Sequence, residues 1–215
     1  MQTRMRPALA VAIALYPGIA FAQSPKAATY ITDEEIKTVN SQPGIDHTIR
    51  VVDIGSEHLA VGIIHRGPSG GGAGRGAAAG GGAGRAAAAP AEPCGEQAAT
   101  PPANATPGGI THDSQTESYV IVSGGGTLVT GGRIVNGRKS SPDSDVTKVL
   151  NGPSCSGLIA GGDVVKRVVK TGDVIIIPAG VAHGWTDITD HVDYLSIRPS
   201  DHVLEAGYVH PAIKK

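Results

Sequence analysis

The sequence predicts one all-β domain, and three of its features lead to this prediction. Between residues 110 and 200, short runs rich in Val, Ile and Tyr are separated by Gly, Pro, Asn and Asp. No part of this region has a helical periodicity of useful length. Many short strands at this spacing are typical of a β-sandwich or a small barrel. The 215-residue chain is also long enough for one such domain outside the two segments described below.

The strands are predicted from their β-branched residues and from the turn residues between them. Residues 48–54 and 58–66 form two strands joined by a turn at 55–57. The later strands are predicted at 118–123, 127–130, 133–136, 146–150, 164–169, 174–177 and 192–198.

A short helix is predicted ahead of the strands. Thr32 and Glu35 fit a capping box, and acidic residues fill the first turn. Because Pro43 and Gly44 stop the helix, we expect it over residues 33–41.

Composition and charge exclude several classes of protein. Aromatic residues make up 3% of the chain and charged residues 17%, and Gly and Pro number 31 and 15. This composition argues against a large multidomain enzyme, a coiled coil or a polytopic membrane protein. A formal net charge of −1 argues against an electrostatic nucleic-acid binder.

The N-terminus has the pattern of a bacterial export signal. Arg4 and Arg6 precede an apolar run over residues 7–20, and small residues lead up to Ala22. We expect residues 1–22 to be a signal peptide cleaved after Ala22, which places the mature chain in the periplasm or outside the cell. The alternative is an uncleaved anchor, but the run is shorter than the roughly 20 residues that span a bilayer.

A low-complexity segment interrupts the chain at residues 67–109. It contains 13 Gly, 14 Ala and 6 Pro, and the hexapeptide Gly-Gly-Gly-Ala-Gly-Arg occurs at both 70–75 and 80–85. Such a composition buries too little surface to offset its ordering entropy. We therefore predict a disordered Gly/Ala-rich insert over 67–109.

Cys94 and Cys155 are the only two cysteines. An oxidising compartment favours their pairing, which would tie the insert to the folded domain. Two separate surface thiols are the alternative, and the sequence does not decide between them. Neither cysteine has the spacing of a zinc or redox motif.

Two motifs in the β-rich region carry the functional signal. In the first, His112 is followed by four residues and Glu117, then by six residues and Gly124. The second begins at Gly172 and runs through Pro178, Gly180 and His183 to Asp187, with five, one, two and three residues between these positions.

Here the sequence resembles the cupin superfamily, as a single-domain secreted protein of the type-2-like kind. The second motif matches the cupin pattern except that Asp187 replaces the usual Asn, and the first lacks one His because Ile110 stands at its position. The resemblance implies a jelly-roll β-barrel. The chain then divides into a signal peptide (1–22), the helix with the first strands (23–66), the insert (67–109), the barrel core (110–200) and a C-terminal tail (201–215).

The resemblance implies a divalent metal held by His112, Glu117 and His183. Two His and one carboxylate suit Fe, Mn, Ni, Cu or Zn, and the sequence does not choose among these ions. A bulge or short turn must separate His112 from Glu117, since five residues of regular strand would place them on opposite faces. Either the triad binds metal without a fourth ligand, or metal binding is weakened, or another side chain such as His58, His65 or Asp187 substitutes.

Three further residues are candidates for the catalytic site. Tyr119 could donate a hydrogen bond or a proton near the metal, or could be a core aromatic. Trp185 could stack on a substrate, or could only pack in the core. Arg198 could pair with a substrate carboxylate if its face of the last strand points inward. Asp187 could also hydrogen-bond a ligand histidine.

The function expected from the resemblance is metal-dependent chemistry on a small organic molecule. Cupins include dioxygenases, decarboxylases, lyases and sugar isomerases, and the two-His-one-carboxylate set favours the dioxygenase type. The alternative is a non-catalytic periplasmic cupin that binds a sugar or another metabolite. We expect a small-molecule ligand, no nucleic acid and no membrane attachment after signal removal, and cupin pairing through outer sheets allows a homodimer.

Overall fold

The computed structural model describes residues 27–69 and 91–214. The predicted signal peptide and residues 70–90 of the predicted insert lie outside the described residues. The elements in chain order are α1 (Asp33–Asn40), β1 (Asp46–Asp53), β2 (His58–Arg66), β3 (Pro93–Cys94), β4 (Thr106–His112), β5 (Glu117–Thr130), β6 (Arg133–Lys139), a π-helix (Val146–Leu150), β7 (Ser154–Ala160), β8 (Val165–Lys170), β9 (Val174–Ile177), β10 (His183–Thr186) and β11 (Val192–Ser200).

Helix α1 forms as predicted. The side chain of Thr32 accepts from the backbone N–H of Glu35, and the carboxylate of Glu35 accepts from the backbone N–H of Thr32, both over 3.2 Å. These two bonds satisfy amides that have no partner within the helix. Val39 on the inner side of α1 packs against Ile49 and Ile63, which fixes the helix on the first two strands.

The barrel is built around β5, which pairs with four other strands. Its first half pairs with β11 and β9, and its second half pairs with β10 and β8. One sheet therefore runs β1-β2-β11-β5-β9, and the other runs β8-β5-β10-β4-β7-β6-β3. All these pairs are antiparallel, apart from one isolated parallel bridge. The shared strand closes the two sheets into the all-β jelly-roll barrel that the resemblance implies.

One strand stands where two were predicted, at 118–123 and 127–130. Three glycines at 124–126 separate the two predicted strands, but in the structure they only bend β5. Gly124 has a φ of +66°, and the pairing of β5 with β11 shifts register close to it. This bend lets one continuous strand serve both sheets.

The predicted strand at 146–150 is wrong, because these residues form the π-helix. The backbone N–H groups of Thr147 and Lys148 both donate to the carbonyl of Ser144, which starts the helical turn. The carbonyl of Val149 then accepts from the hydroxyl of Thr48 instead of from a neighbouring strand. An apolar run of five residues does not distinguish a strand from a helical turn.

Residues 91–109 correct the predicted extent of the insert. They include β3 and the first residues of β4, although the prediction placed the whole of 67–109 in a disordered segment. Composition misled here because β3 is held by partners elsewhere in the chain. Cys94 is bonded to Cys155 of β7, with sulfurs 1.97 Å apart, so the pairing that the sequence left open is formed.

The main core lies inside the barrel. Its fully buried members come from five strands and from the loop after β10: Ile64, Tyr119, Ile121, Leu128, Val169, Ile177, Ile188, Val192 and Tyr194. The C-terminal segment runs along β1, where the backbone N–H of His210 donates to the carbonyl of Ile49. In the part of the chain that the structure describes, no helix is long and apolar enough to span a membrane.

Candidate metal centre

Three strand ends bring the two sequence motifs together. His112 is the last residue of β4, a short turn over 113–116 follows, and Glu117 is the first residue of β5. This turn supplies the break in alternation that the spacing of His112 and Glu117 requires. His183 is the first residue of β10 and lies opposite Ile110 of β4. The motifs therefore meet inside the barrel.

The three side chains form one tight, buried cluster. The Nε2 atoms of His112 and His183 lie 3.2 and 3.1 Å from the same oxygen, Oε2 of Glu117. Each of the three residues is only 2% exposed. Within the described ranges, this is the one group of His, Cys, Asp and Glu side chains arranged closely enough to hold a metal ion.

Hydrogen bonds on the far side of each ring fix which nitrogen carries the proton. Nδ1 of His183 lies 3.0 Å from the carbonyl oxygen of Val181, which can only accept. Nδ1 of His112 lies 2.8 Å from the hydroxyl of Ser154, and that hydroxyl donates its own proton to the carbonyl of Gly152. Both Nδ1 atoms therefore donate, so in the neutral form of either ring it is Nε2 that carries a lone pair facing the cluster.

The carboxylate of Glu117 is held from its other side. Oε1 accepts from Nε of Arg198 over 2.6 Å and from the hydroxyl of Ser196 over 2.9 Å. Oε2 accepts from the hydroxyl of Tyr119 over 2.7 Å. These bonds leave the side of Oε2 that faces the two histidines without a hydrogen-bond donor.

Burial and charge act in opposite directions on this carboxylate. Burial taken alone raises the pKa of Glu117, but the positive charge of Arg198 lowers it. The net pKa lies well below its ordinary value, so Glu117 is ionised at neutral pH. Burial lowers the pKa of His112, which keeps that ring neutral. A neutral imidazole and an ionised carboxylate are the forms that bind metals.

Arg198 faces inward, but it does not have the predicted freedom to bind a substrate. It is 1% exposed, and its NH2 group donates to Asp46 over 2.8 Å while its Nε holds Glu117. NH1 donates to the carbonyl of Leu150 at the end of the π-helix. The predicted carboxylate partner is thus supplied by the protein, and Arg198 positions Glu117.

Tyr119 and Trp185 belong to one aromatic stack that begins beside the cluster. The ring of Tyr119 lies 6.2 Å from that of His183 and 4.3 Å from that of Tyr194, measured between centroids. Trp185 stacks on Tyr194 at 5.3 Å and is only partly buried. Tyr119 hydrogen-bonds the cluster directly. Trp185 lies one aromatic ring further out and also packs against the core.

The structure places none of the suggested substitute ligands at the cluster. Asp187 is exposed and accepts from Thr186, so it bonds neither ligand histidine. His65 is exposed and contacts Asp193, and Nδ1 of His58 faces the carbonyl oxygen of Leu204. The candidate site therefore has three protein ligands.

Sequence reasoning missed two residues that orient the ligands. Ser154 fixes the proton on His112, and it lies in a turn-rich segment that gave no strand signal. Asp46 completes the ion pairs of Arg198, and it lies two residues before the predicted first strand at 48–54. A predicted inward face for residue 46 would have required the register of β1, which its sequence does not specify.

Comparison with known proteins yields solved structures alone. No family model and no curated protein matches the chain. A protein with a double-stranded β-helix domain from Klebsiella pneumoniae is 13% identical, with a TM-score of 0.38, over 82% of this chain and 94% of its own. A cupin protein from Bacteroides fragilis is 13% identical, with a TM-score of 0.30, over 73% and 78%. An oxalate oxidase in complex with the substrate analogue glycolate is 16% identical, with a TM-score of 0.34, over 76% and 55%.

The Klebsiella pneumoniae structure is described as containing a double-stranded β-helix domain and the Bacteroides fragilis structure as a cupin protein. Similarities at this level carry no information about activity, and the fold rests on the strands of this chain. Its strand pairing closes two antiparallel sheets through β5, and its two motifs meet in one buried cluster. The chain therefore has an all-β jelly-roll barrel.

Proposed function

We propose that this protein is a metal-dependent enzyme that acts on a small organic molecule. One observation carries the proposal: Nε2 of His112 and Nε2 of His183 are buried without a hydrogen-bond partner, and both face Oε2 of Glu117. Without a cation between them, the two nitrogen lone pairs and the negatively charged carboxylate oxygen repel one another. Buried polar atoms without partners are rare and costly. A divalent cation between the three atoms removes both costs.

The three residues fit such an ion chemically. Two imidazole nitrogens and one carboxylate oxygen are the donors of the two-His-one-carboxylate set, which favours Fe(II) and oxygen chemistry among the candidates Fe, Mn, Ni, Cu and Zn. When bound, such an ion supplies Lewis acidity or, if it is redox-active, a site for dioxygen. Isomerase, lyase and decarboxylase chemistry use the same donors, and dioxygenase-type chemistry is the form we favour.

The surrounding residues prepare the cluster for this role. Ser154 and the carbonyl of Val181 hold the two rings in the tautomer that presents Nε2. Arg198 and Ser196 keep the carboxylate of Glu117 ionised and oriented. Tyr119 holds a proton on its hydroxyl at Oε2, and burial raises its pKa well above the ordinary value. Its phenol therefore acts as a hydrogen-bond donor throughout the physiological pH range.

Elemental analysis tests this proposal. The full chain is purified without an affinity tag or added metal, and metal content is measured beside the variants His183→Ala and His191→Ala. His191 is a matched control because it lies outside the cluster, bonded to Ser123 and Asp190. We expect about one equivalent of a divalent ion, lost in His183→Ala and kept in His191→Ala.

Two results would contradict the proposal. One is a wild-type protein that neither carries a divalent ion nor takes one up when each is supplied. The other is equal metal content in His183→Ala and wild type. The identity of the retained ion then selects the assays, beginning with oxygen consumption for iron, manganese or copper.

A second candidate is a non-catalytic cupin that binds a metal or metabolite without turnover. The 2% exposure of all three cluster residues favours it, since an open coordination position must be reached by a substrate. Ile110 in place of a fourth ligand favours it as well. Metal that is retained, with no oxygen consumption and no conversion of added small acids or sugars, would support this candidate over the enzyme.

We also propose that the chain acts in the periplasm or outside the cell. The support is the disulfide between Cys94 and Cys155, because such bonds persist in oxidising compartments. N-terminal sequencing of the protein recovered from a bacterial periplasm tests this proposal. We expect a mature chain that begins at Gln23, and an uncleaved Met1 terminus would contradict it.

A further inference from the structure

Arg66 is an arginine of the barrel interior that the proposed chemistry does not yet use. It ends β2 and lies on the same face as Ile64, which belongs to the main core. Its Nε donates to the hydroxyl of Tyr194 over 3.0 Å, and Tyr194 is itself 1% exposed. The side chain of Arg66 is half-buried, so its guanidinium group is directed into the barrel at the end of a strand.

The two inward arginines differ in their partners. Arg198 is paired with both Asp46 and Glu117. Arg66 has no carboxylate within ion-pair distance among the described residues, and the Tyr194 hydroxyl is its sole side-chain partner there. A guanidinium with an orienting bond on Nε and two unused terminal nitrogens presents a fork suited to a carboxylate.

Arg66 is connected to the metal cluster through aromatic side chains. Tyr194 packs against Tyr119 at 4.3 Å between ring centroids, and Tyr119 donates to Glu117. Tyr194 also stacks on Trp185, with 5.3 Å between the ring centroids. A small molecule that reached from the guanidinium of Arg66 toward the cluster would therefore cross an aromatic surface, which suits a short organic acid.

The charge balance of the interior points the same way. Glu117 and Asp46 together offset the positive charges of Arg198 and Arg66, so these four groups sum to zero. A divalent ion at the cluster would add two positive charges that no partner among these groups compensates, which favours binding of an anion. An anionic ligand would compensate them.

We propose that Arg66 binds a carboxylate group of the substrate, and that the substrate class is a small organic acid. This inference rests on the proposed function, because the substrate would bind between Arg66 and the cluster. It gives Arg66 the role that sequence analysis assigned to Arg198. Arg66→Gln and Arg66→Lys would both lose the forked N–H donors of the guanidinium group, and Arg66→Lys would keep the positive charge.

Calorimetric titration of the full chain tests the proposal. Malonate serves as the carboxylate probe, malonamide as its neutral counterpart, and inorganic phosphate as a non-carboxylate anion. The proteins are wild type, Arg66→Gln, Arg66→Lys and Arg133→Gln, each analysed for metal content and melting temperature in the same preparation. Arg133 is the matched control because it loses the same charge from a surface pair with Glu96.

We expect wild type and Arg133→Gln to bind malonate alike, with no binding of malonamide. Arg66→Gln should bind malonate at least tenfold more weakly, and Arg66→Lys should fall between them, with metal content unchanged in all four proteins. Equal malonate affinity in Arg66→Gln and wild type would overturn the inference, as would phosphate binding in place of malonate. If the wild type holds metal yet binds no malonate, the inference fails and the metal site stands; if it takes up no metal, the proposed function fails first.

Discussion

Arg198 and Glu117 form a buried ion pair across two adjacent strands, with Nε of the arginine 2.6 Å from Oε1 of the glutamate. The two residues are 1% and 2% exposed. The bond joins β11 to the start of β5 and turns the second carboxylate oxygen toward the histidines. Its loss would leave an ionised carboxylate inside the barrel without its principal partner.

Arg198→Met is therefore expected to lower the free energy of unfolding by about 3–5 kcal/mol. Urea denaturation followed by circular dichroism measures the change. The double variant Arg198→Met/Glu117→Gln should recover part of the loss, because it removes the unpaired charge. Arg133→Met, which breaks a surface pair, should change stability little. Equal effects at positions 198 and 133 would contradict the buried ion pair.

The stability of the metal-free protein should fall as the pH is lowered. Burial lowers the pKa of His112 below 6.5, so below that pH the unfolded chain binds a proton that the folded chain does not. The pKa of Glu117 is also lowered, from 4.5, so its contribution to stability is present above that pH and is lost below it. Melting temperature should decline from near pH 6.5 and more steeply below pH 4.5.

Differential scanning calorimetry of the chelator-treated protein between pH 8 and pH 4 measures this decline. His112→Gln should flatten the decline between 6.5 and 4.5, whereas His202→Gln, at an exposed position, should not. A melting temperature that rises on acidification across this range would show that His112 is not buried as a neutral ring.

The disulfide should contribute measurably to stability. Cys94 and Cys155 are separated by 61 residues, and closing a loop of that size in the unfolded chain stabilises the fold by up to about 4 kcal/mol. We expect the double variant Cys94→Ser/Cys155→Ser to unfold at lower denaturant concentration than wild type. A reductant should lower the wild-type midpoint to that of the variant and leave the variant unchanged. An unchanged wild-type midpoint in reductant would argue against the bond.

Two motif glycines should differ in their tolerance of a methyl group. A Cβ at Gly124 would lie 2.0 Å from the carbonyl oxygen of His191, whereas at Gly172 nothing lies within 4 Å. Both have positive φ, +66° and +93°, which alone costs about 1–2 kcal/mol for alanine. Gly124→Ala should therefore destabilise by more than about 3 kcal/mol, since backbone must also move. Chemical denaturation measures the free energy of unfolding of both alanine variants. Equal losses at the two positions would contradict the close approach of Gly124 to the carbonyl of His191.

Elements with local boundary signals are predicted better from the sequence than elements that depend on distant contacts. The bounds of the strand at 174–177 and of the helix were predicted well, because turn residues and a capping box mark them locally. The apolar run at 146–150 carries no such signal. Its conformation depends on Thr48 and Arg198, which donate hydrogen bonds to its carbonyl groups from distant strands. A local sequence pattern does not reveal tertiary contacts of this kind.

The candidate site shows the same division. Motif spacing indicated His112, Glu117 and His183, and these three residues meet in space. Alternation along β11 placed Arg198 on a face but did not choose which face, and it could not show that Asp46 and Glu117 occupy its guanidinium. The sequence does not single out Arg66, because what distinguishes it is the lack of a carboxylate partner among the described residues. Such a lack can be seen only when the strand pairing is known.

Trp185 has a practical consequence for solution studies. It is the sole tryptophan of the chain, and it stacks on Tyr194, whose hydroxyl accepts from Arg66. Its fluorescence therefore comes from a single position, which Tyr194 and Tyr119 connect to the metal cluster. The protein thus contains its own optical reporter, and changes in emission intensity or wavelength would follow occupancy of the barrel without any added label.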